Sequence, residues 1–228
     1  MKLTKAKLIK GVNKNLQDLG YLEFKDKVNG SDGLFIKVVN GCFLSLGLII
    51  SRFDESKFTA SYYLSKSTRW GSVWGDIPKE SYQRIGVFLT KGERYDLLDS
   101  DFTEEGLVDS WWNGNDKNGI ANFLVAVKVT EERFLKQKEL FHKVNGSSEI
   151  RDFVNFSSAV AKMIDSGFQE KLAYEFLPNK DLQGVPVDWY KAAEKVIEEK
   201  NGILNANTVK LLAIDSWRQK ELYKHFPQ

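Results

Sequence analysis

Apolar residues recur at three- and four-residue steps through the first twenty positions: Leu3, Ala6, Leu8, Ile9, Val12, Leu16 and Leu19. That spacing predicts an amphipathic helix, because one turn takes 3.6 residues and the apolar positions then share a face. Lys2, Lys5, Lys7, Lys10 and Lys14 fall on the polar face, and Gly20 supplies a C-terminal stop. The pattern then changes to strands. Runs at Tyr21–Val28, Leu34–Val39, Cys42–Phe53, Phe58–Leu64 and Tyr82–Leu89 are punctuated by Asn29-Gly30, Asp32-Gly33 and Asn40-Gly41. Asn-Gly and Asp-Gly pairs favour tight hairpins, because primed turns need positive φ. The prediction is a meandering, mostly antiparallel sheet of about five strands, with the first helix free to cover one face.

Beyond the middle of the chain the helical spacing returns. Ile120, Phe123, Leu124, Val127, Phe134, Leu135 and Phe141 predict helix over Gly119–Val144, with Ala121–Val129 also readable as one more strand. Ser147-Ser148-Glu149 opens a helix that runs through Met163 and Ile164 and stops at Gly167. Further helices are expected at Phe168–Leu177, Val187–Lys200 and Asn205–His225, punctuated by Pro178, Pro186 and Gly202. Strands first and helices afterwards define an α+β layout. A boundary near Asn145-Gly146 separates a helix-plus-sheet part, 1–145, from a helical extension, 146–228, the two packed as one compact unit.

Composition narrows the class of activity. The chain has 228 residues, of which 42% are hydrophobic with glycine not counted, enough for a core and against global disorder. Lys and Arg total 33 against 31 Asp and Glu, and a net charge of +2 is too weak for a dedicated nucleic-acid binder. One cysteine excludes an internal disulfide and any multi-cysteine zinc site. Residues 1–15 are basic but contain no apolar core of leader length, so no secretory leader is expected. The longest apolar stretch, Cys42–Ile50, is broken by Ser45 and Gly47 and falls far short of the ~20 residues of a membrane span. The expected setting is the cytoplasm, with no membrane and no nucleic acid as partner.

Candidate chemistry is sparse. Cys42 lies between a turn and a strand, and the two histidines, His142 and His225, fall at predicted helix ends, so the cysteine reads as a small buried apolar residue. There is no Gly-x-Ser-x-Gly elbow and no phosphate-cradling glycine loop. Neither a cofactor nor a metal is expected. Glu93–Asp109 is the most polarised stretch: Glu93, Asp96, Asp99, Asp101, Glu104, Glu105 and Asp109 stand against one base, Arg94. It reads as a solvated loop leading into a helix, as a surface for a basic partner, or as a carboxylate or hard-cation site around Asp96, Asp99 and Asp101. Aromatics gather in the same region: Tyr62, Tyr63, Trp70, Trp74, Tyr82, Tyr95 and the pair Trp111-Trp112. On a helix, adjacent tryptophans point about 100° apart, so one is expected to pack on the sheet while the other faces a groove or partner. The expected contact surface joins Trp74, Asp96, Asp99, Asp101, Glu104, Glu105, Asp109, Trp111 and Trp112 against a basic protein, since the acids would repel a phosphate backbone.

The order of features over about residues 1–125 resembles a bacterial family catalogued only as a domain of unknown function, number forty-three-oh-four in that series. A strand with Leu46-Gly-Leu-Ile-Ile-Ser-Arg52 precedes one ending Tyr63-Leu-Ser-Lys66, followed by a tryptophan-bearing stretch, Arg84-Ile-Gly86, and Trp111-Trp112. The acidic stretch lengthens the interval before the tryptophan pair relative to the family. The resemblance implies a small helix-plus-antiparallel-sheet domain and carries no activity, cofactor or catalytic residues with it. Many small bacterial α+β proteins are immunity proteins, an analogy of kind. The expected function is a non-catalytic protein-binding module, in its most concrete form an immunity protein neutralising a cognate toxin. The alternatives are a hydrolase-like enzyme working through the acidic stretch, and a structural association protein.

Overall fold

A computed structural model describes residues 2–25, 31–68, 78–98, 110–146, 148–168, 184–200, 202 and 204–226, with the backbone alone at 148–154. The fold is α+β: an N-terminal helix, an antiparallel sheet, then helices through the C-terminal half. By the packing of its backbone the chain divides into two compact units. The first takes Met1–Lys37, Leu44–Leu64 and Trp70–Gly146; the second takes Val38–Phe43, Ser65–Arg69 and Ser147–Gln228.

In the first unit, helix α1 (Lys5–Asp18) begins where the Thr4 side chain accepts a hydrogen bond from the Lys7 N–H, and it buries Leu8, Val12 and Leu16. Gly20 follows at φ 84°, the left-handed conformation the sequence reserved for a glycine. The strands are β1 (Leu22–Phe24), β2 (Gly33–Val39), β3 (Cys42–Ile50), β4 (Lys57–Ser65), β5 (Tyr82–Arg84) and β6 (Trp112–Asn113). Their order is β1-β2-β3-β4-β5, and β6 also pairs with β4. The register sets Glu23 opposite Phe35, Tyr62 opposite Gln83 and Phe58 opposite Trp112. Two short strands thus share one edge of β4, β5 beside residues 61–63 and β6 beside 57–58. Asn40 and Gly41 have φ 48° and 68°, as the Asn-Gly signal between β2 and β3 requires. Asp32 does more than turn the chain: its carboxylate accepts the Ile50 N–H at 2.7 Å and pairs with Lys5 at 2.8 Å.

Several elements depart from the sequence reading: β6 was not expected, and the strand expected over Cys42–Phe53 ends at Ile50. The run expected as one strand over Tyr82–Leu89 is a strand only to Arg84, after which Ile85–Phe88 winds into a 3-10 turn. Helix α2 (Lys91–Leu97) stands where a solvated loop was expected. Its Thr90-x-x-Glu93 capping box joins the Thr90 hydroxyl to the Glu93 N–H and the Glu93 carboxylate to the Thr90 N–H. The long helix expected over Gly119–Val144 is two, α3 (Lys117–Leu135) and α4 (Leu140–Gly146), separated at Glu139, whose φ is 63°. Ala121–Val129 is therefore helix and not a strand.

Helix α3 packs its apolar side across β4 and β6. Phe123 meets Phe58 at 5.1 Å and Trp112 at 5.3 Å between ring centroids, both edge-on, and Tyr62 meets Phe134 at 5.0 Å. The buried Tyr62 hydroxyl is satisfied by the Val127 carbonyl at 3.0 Å and the Thr130 hydroxyl at 3.1 Å. At the other end of the sheet Tyr21 donates to Glu131 at 2.8 Å, and Lys37 pairs with the same carboxylate while lying 4.6 Å over the Tyr21 ring.

In the second unit, α5 (Ser148–Asp165), α6 (Val187–Glu199) and α7 (Ala206–His225) pack together. Val160, Tyr190, Ala193, Ile197 and Leu212 are fully buried there. So is Asp215. Its carboxylate accepts the Thr68 N–H and hydroxyl at 2.6 Å each, the Ser157 hydroxyl at 2.6 Å and the Gln219 amide at 2.9 Å. These bonds tie Thr68 to α5 and α7. The helix expected over Phe168–Leu177 lies outside the described residues but for Phe168.

Candidate functional site

The β3–β4 connection carries the most exposed large apolar side chain among the described residues, that of Phe53. The connection is not loose. The Ser51 hydroxyl accepts the N–H groups of Phe53 and Asp54 at 3.1 and 3.0 Å. The Asp54 carboxylate accepts the Ser56 N–H at 3.0 Å and hydroxyl at 2.6 Å, bonds that hold its pKa below the usual carboxylate value. Backbone bonds Lys57 N–H to Asp54 carbonyl and Ser51 N–H to Lys57 carbonyl, both 2.9 Å, close the turn. Two neighbours clamp it from outside, the Leu3 N–H on the Glu55 carbonyl at 2.7 Å and the Gly114 N–H on the Ser56 carbonyl at 2.9 Å. Serine and aspartate suit such a turn because their oxygens reach backbone donors two or three residues on.

An open groove of about 560 Å³ lies beside the turn. It is lined by Ile49 and Ile50 from β3, by the turn residues Ser51 to Asp54 and Lys57, by Arg84 at the end of β5 and by Trp111 ahead of β6. The Arg84 guanidinium sits 5.9 Å from the centroid of the Trp111 ring, a cation–π contact. Lys57 lies 4.0 Å from Asp54. Trp111 and Trp112 part company because they straddle a strand, where successive side chains point to opposite faces. The expected 100° of a helix does not apply, but the division of labour does. Trp112 is fully buried against Phe58 and Phe123, its indole N–H without an acceptor among the described residues, and Trp111 is half-buried in the groove.

The remaining sequence candidates fall as follows. Trp112 has no surface to offer a partner, a correction to its place in the expected contact set. Asp96 is exposed on α2, where its carbonyl accepts the Asn122 amide at 3.4 Å. Trp74, Asp99, Asp101, Glu104, Glu105 and Asp109 lie outside the described residues, as do Trp70 and Arg69. Glu93, counted among the acids of that stretch, is engaged by Arg133 at 2.6 and 2.8 Å, and the guanidinium with the Thr90 N–H holds its pKa at about 2. Cys42 is buried, and burial pushes its thiol up against the opposing pull of the nearby Lys66 ammonium. His142 on α4 and His225 in the last turn of α7 are both exposed. Among the described residues no group of three or more His, Cys, Asp and Glu side chains could hold a metal ion.

Sequence reasoning passed over Phe53 by absorbing it into the Cys42–Phe53 strand. The available signal was local: Ser51-Arg52-Phe53-Asp54-Glu55-Ser56 is turn chemistry with one large aromatic set in it. No family model, no curated protein and no solved structure matches the chain. No helix among the described residues is long and apolar enough to cross a membrane.

Proposed function

We propose that the chain is a non-catalytic protein-binding module, and that it serves as a bacterial immunity protein neutralising a cognate toxin. The observation that carries the binding reading is the presentation of Phe53. A phenylalanine left in water forgoes roughly 1.5–3 kcal/mol of burial, and here it stands on a turn already fixed by its own hydrogen bonds. An aromatic anchor with an arginine–tryptophan pair in the same groove matches the composition of binding hot spots, which favour Trp, Tyr and Arg. The toxin-neutralising role adds the analogy with small bacterial α+β proteins, and kinship with the domain-of-unknown-function family belongs to the same proposal. A reducing cytoplasm is the setting proposed for a chain whose one cysteine forms no disulfide.

The test is co-expression in a bacterial host. Each product of a gene adjacent to that of this chain is expressed alone and together with it, and growth and co-purification are measured. The expected result is one toxic neighbour, growth restored by this chain, and a stoichiometric complex from which Phe53→Ala with Trp111→Ala removes the rescue at equal soluble level. Neighbours that are harmless, or that kill equally with and without this chain, would overturn the immunity role.

A further inference from the structure

From the charge and shape of the β3–β4 groove we infer that its occupant is an acidic segment of the partner protein, with carboxylates flanking an aromatic or branched apolar side chain. This rests on the binding reading above and adds the chemistry of what is bound. Of the charged side chains in the groove three are cationic, Arg52, Lys57 and Arg84, and one is anionic, Asp54. Arg52 is exposed and enters no ion pair among the described residues. An arginine fork matches a carboxylate in two parallel hydrogen bonds, and the excess of cations in the lining would steer an acidic segment on approach. Ile49 and Ile50 line the groove beside these cations; as successive strand residues they face opposite ways, so one of the two, with the Trp111 ring, gives an apolar side chain a place to bury.

The same cations and rings could be read as a track for single-stranded nucleic acid, but the size of the groove argues against it. Single strands are held along a continuous cationic track of about four or more nucleotides, and one groove of about 560 Å³ lined by three cations and one acid is too short for that. The groove's charge is the reverse of that of the Glu93–Asp109 stretch, so it selects a different part of a partner from the basic surface that stretch would attract.

The experiment selects twelve-residue peptides from a random display library on the full-length chain. Peptides synthesised from the enriched sequences are then titrated against wild type, Phe53→Ala and Arg52→Glu. Neither substituted side chain supports the fold, since both are exposed, and thermal melting checks this directly. The expected outcome is enrichment of Asp and Glu around an aromatic, Leu or Ile, with at least tenfold weaker binding to each variant. Replacing the peptide's acids by Lys should abolish binding to wild type and restore it to Arg52→Glu. Enriched peptides that are neutral or basic yet depend on Phe53 would overturn the inferred chemistry and leave the binding surface standing. Displacement of the peptides by a twenty-nucleotide oligo(dT) at equal concentration would replace it with a nucleic-acid partner. Peptides that bind all variants equally, with Trp111→Ala included, would remove both the inference and the surface it rests on.

Discussion

Gly119 makes the packing of α3 against β6 measurable. It is the third residue of α3, and an ideal Cβ there would stand 2.2 Å from the Asn113 carbonyl oxygen, 3.0 Å from its carbon and 3.1 Å from the Asn113 nitrogen. All three are backbone atoms, so no rotamer change relieves the clash. Restoring van der Waals contact needs the helix and strand to separate by about 1 Å, and overpacking of this kind costs roughly 1–3 kcal/mol. With backbone facing the new methyl we take about 3 kcal/mol, offset by at most about 1 kcal/mol from the better helix propensity of alanine. Gly119→Ala should therefore lose about 2 kcal/mol, lowering the urea midpoint by roughly 1 M. Gly92 in α2 is the matched control, because nothing lies within 4 Å of its ideal Cβ. Gly92→Ala should be neutral or stabilising by up to about 1 kcal/mol. The assay is urea titration followed by tryptophan fluorescence, to which Trp112 beside Phe123 contributes. A Gly119→Ala midpoint equal to or above wild type, or an equal loss for Gly92→Ala, would refute the account of how β6 is held. Because β6 directly follows Trp111, the same substitution should also weaken binding at the groove.

Two further outcomes follow from the charged contacts. Asp215→Ala would strand the Thr68 N–H and two or more side-chain donors in the interior of the second unit, at a cost of about 3 kcal/mol or more, read as a lowered thermal midpoint; Asp215→Asn should fall between. Glu93 has its pKa lowered to about 2 in the folded chain, so its contribution to stability is present above the ordinary glutamate value of 4.5 and is lost as pH falls towards 2. Replacing it by Gln should flatten the stability-versus-pH curve across that window, and a curve parallel to wild type there would dispose of the Arg133 contact as the cause.

What was legible in the sequence was what local chemistry decides. Thr4, the spacing of Leu8, Val12 and Leu16, and Gly20 define α1 without reference to the rest of the chain. Asn40-Gly41 sets the β2–β3 hairpin because few other pairs tolerate two positive φ values. The departures all involve longer-range contacts or signals left unread. A two-residue strand such as β6 has no periodicity of its own and exists because β4 offers an open edge beside Lys57 and Phe58. The break between α3 and α4 depends on Glu139 taking a conformation its side chain does not announce. The capping box at Thr90 is written in the sequence as Thr-x-x-Glu, and a charge count does not register it because Glu93 acts there by reaching back to the backbone.

The candidate site was legible only as a set of residue types, and the reason is geometric. Trp111, Arg84 and Phe53 are 58 residues apart at most in sequence, and no single local motif contains all three. They meet at one groove because β4 is shared: β3 enters it through the locked turn, while β5 and β6 take different lengths of its far edge. That sharing sends Trp112 down to Phe123 and leaves Trp111 on the opposite face with Arg84. The turn contributes in the same way. Ser51 and Asp54 fix the backbone of the turn by their own hydrogen bonds without any contact from the exposed Phe53 ring, and Leu3 and Gly114 bond to the turn's far side. A flexible turn could fold its phenylalanine back onto Ile49 or Ile50; this one holds it in water. Such an arrangement lowers the entropy lost when a partner covers the ring, so the hydrogen bonds that shape the hairpin also prepare the surface for binding.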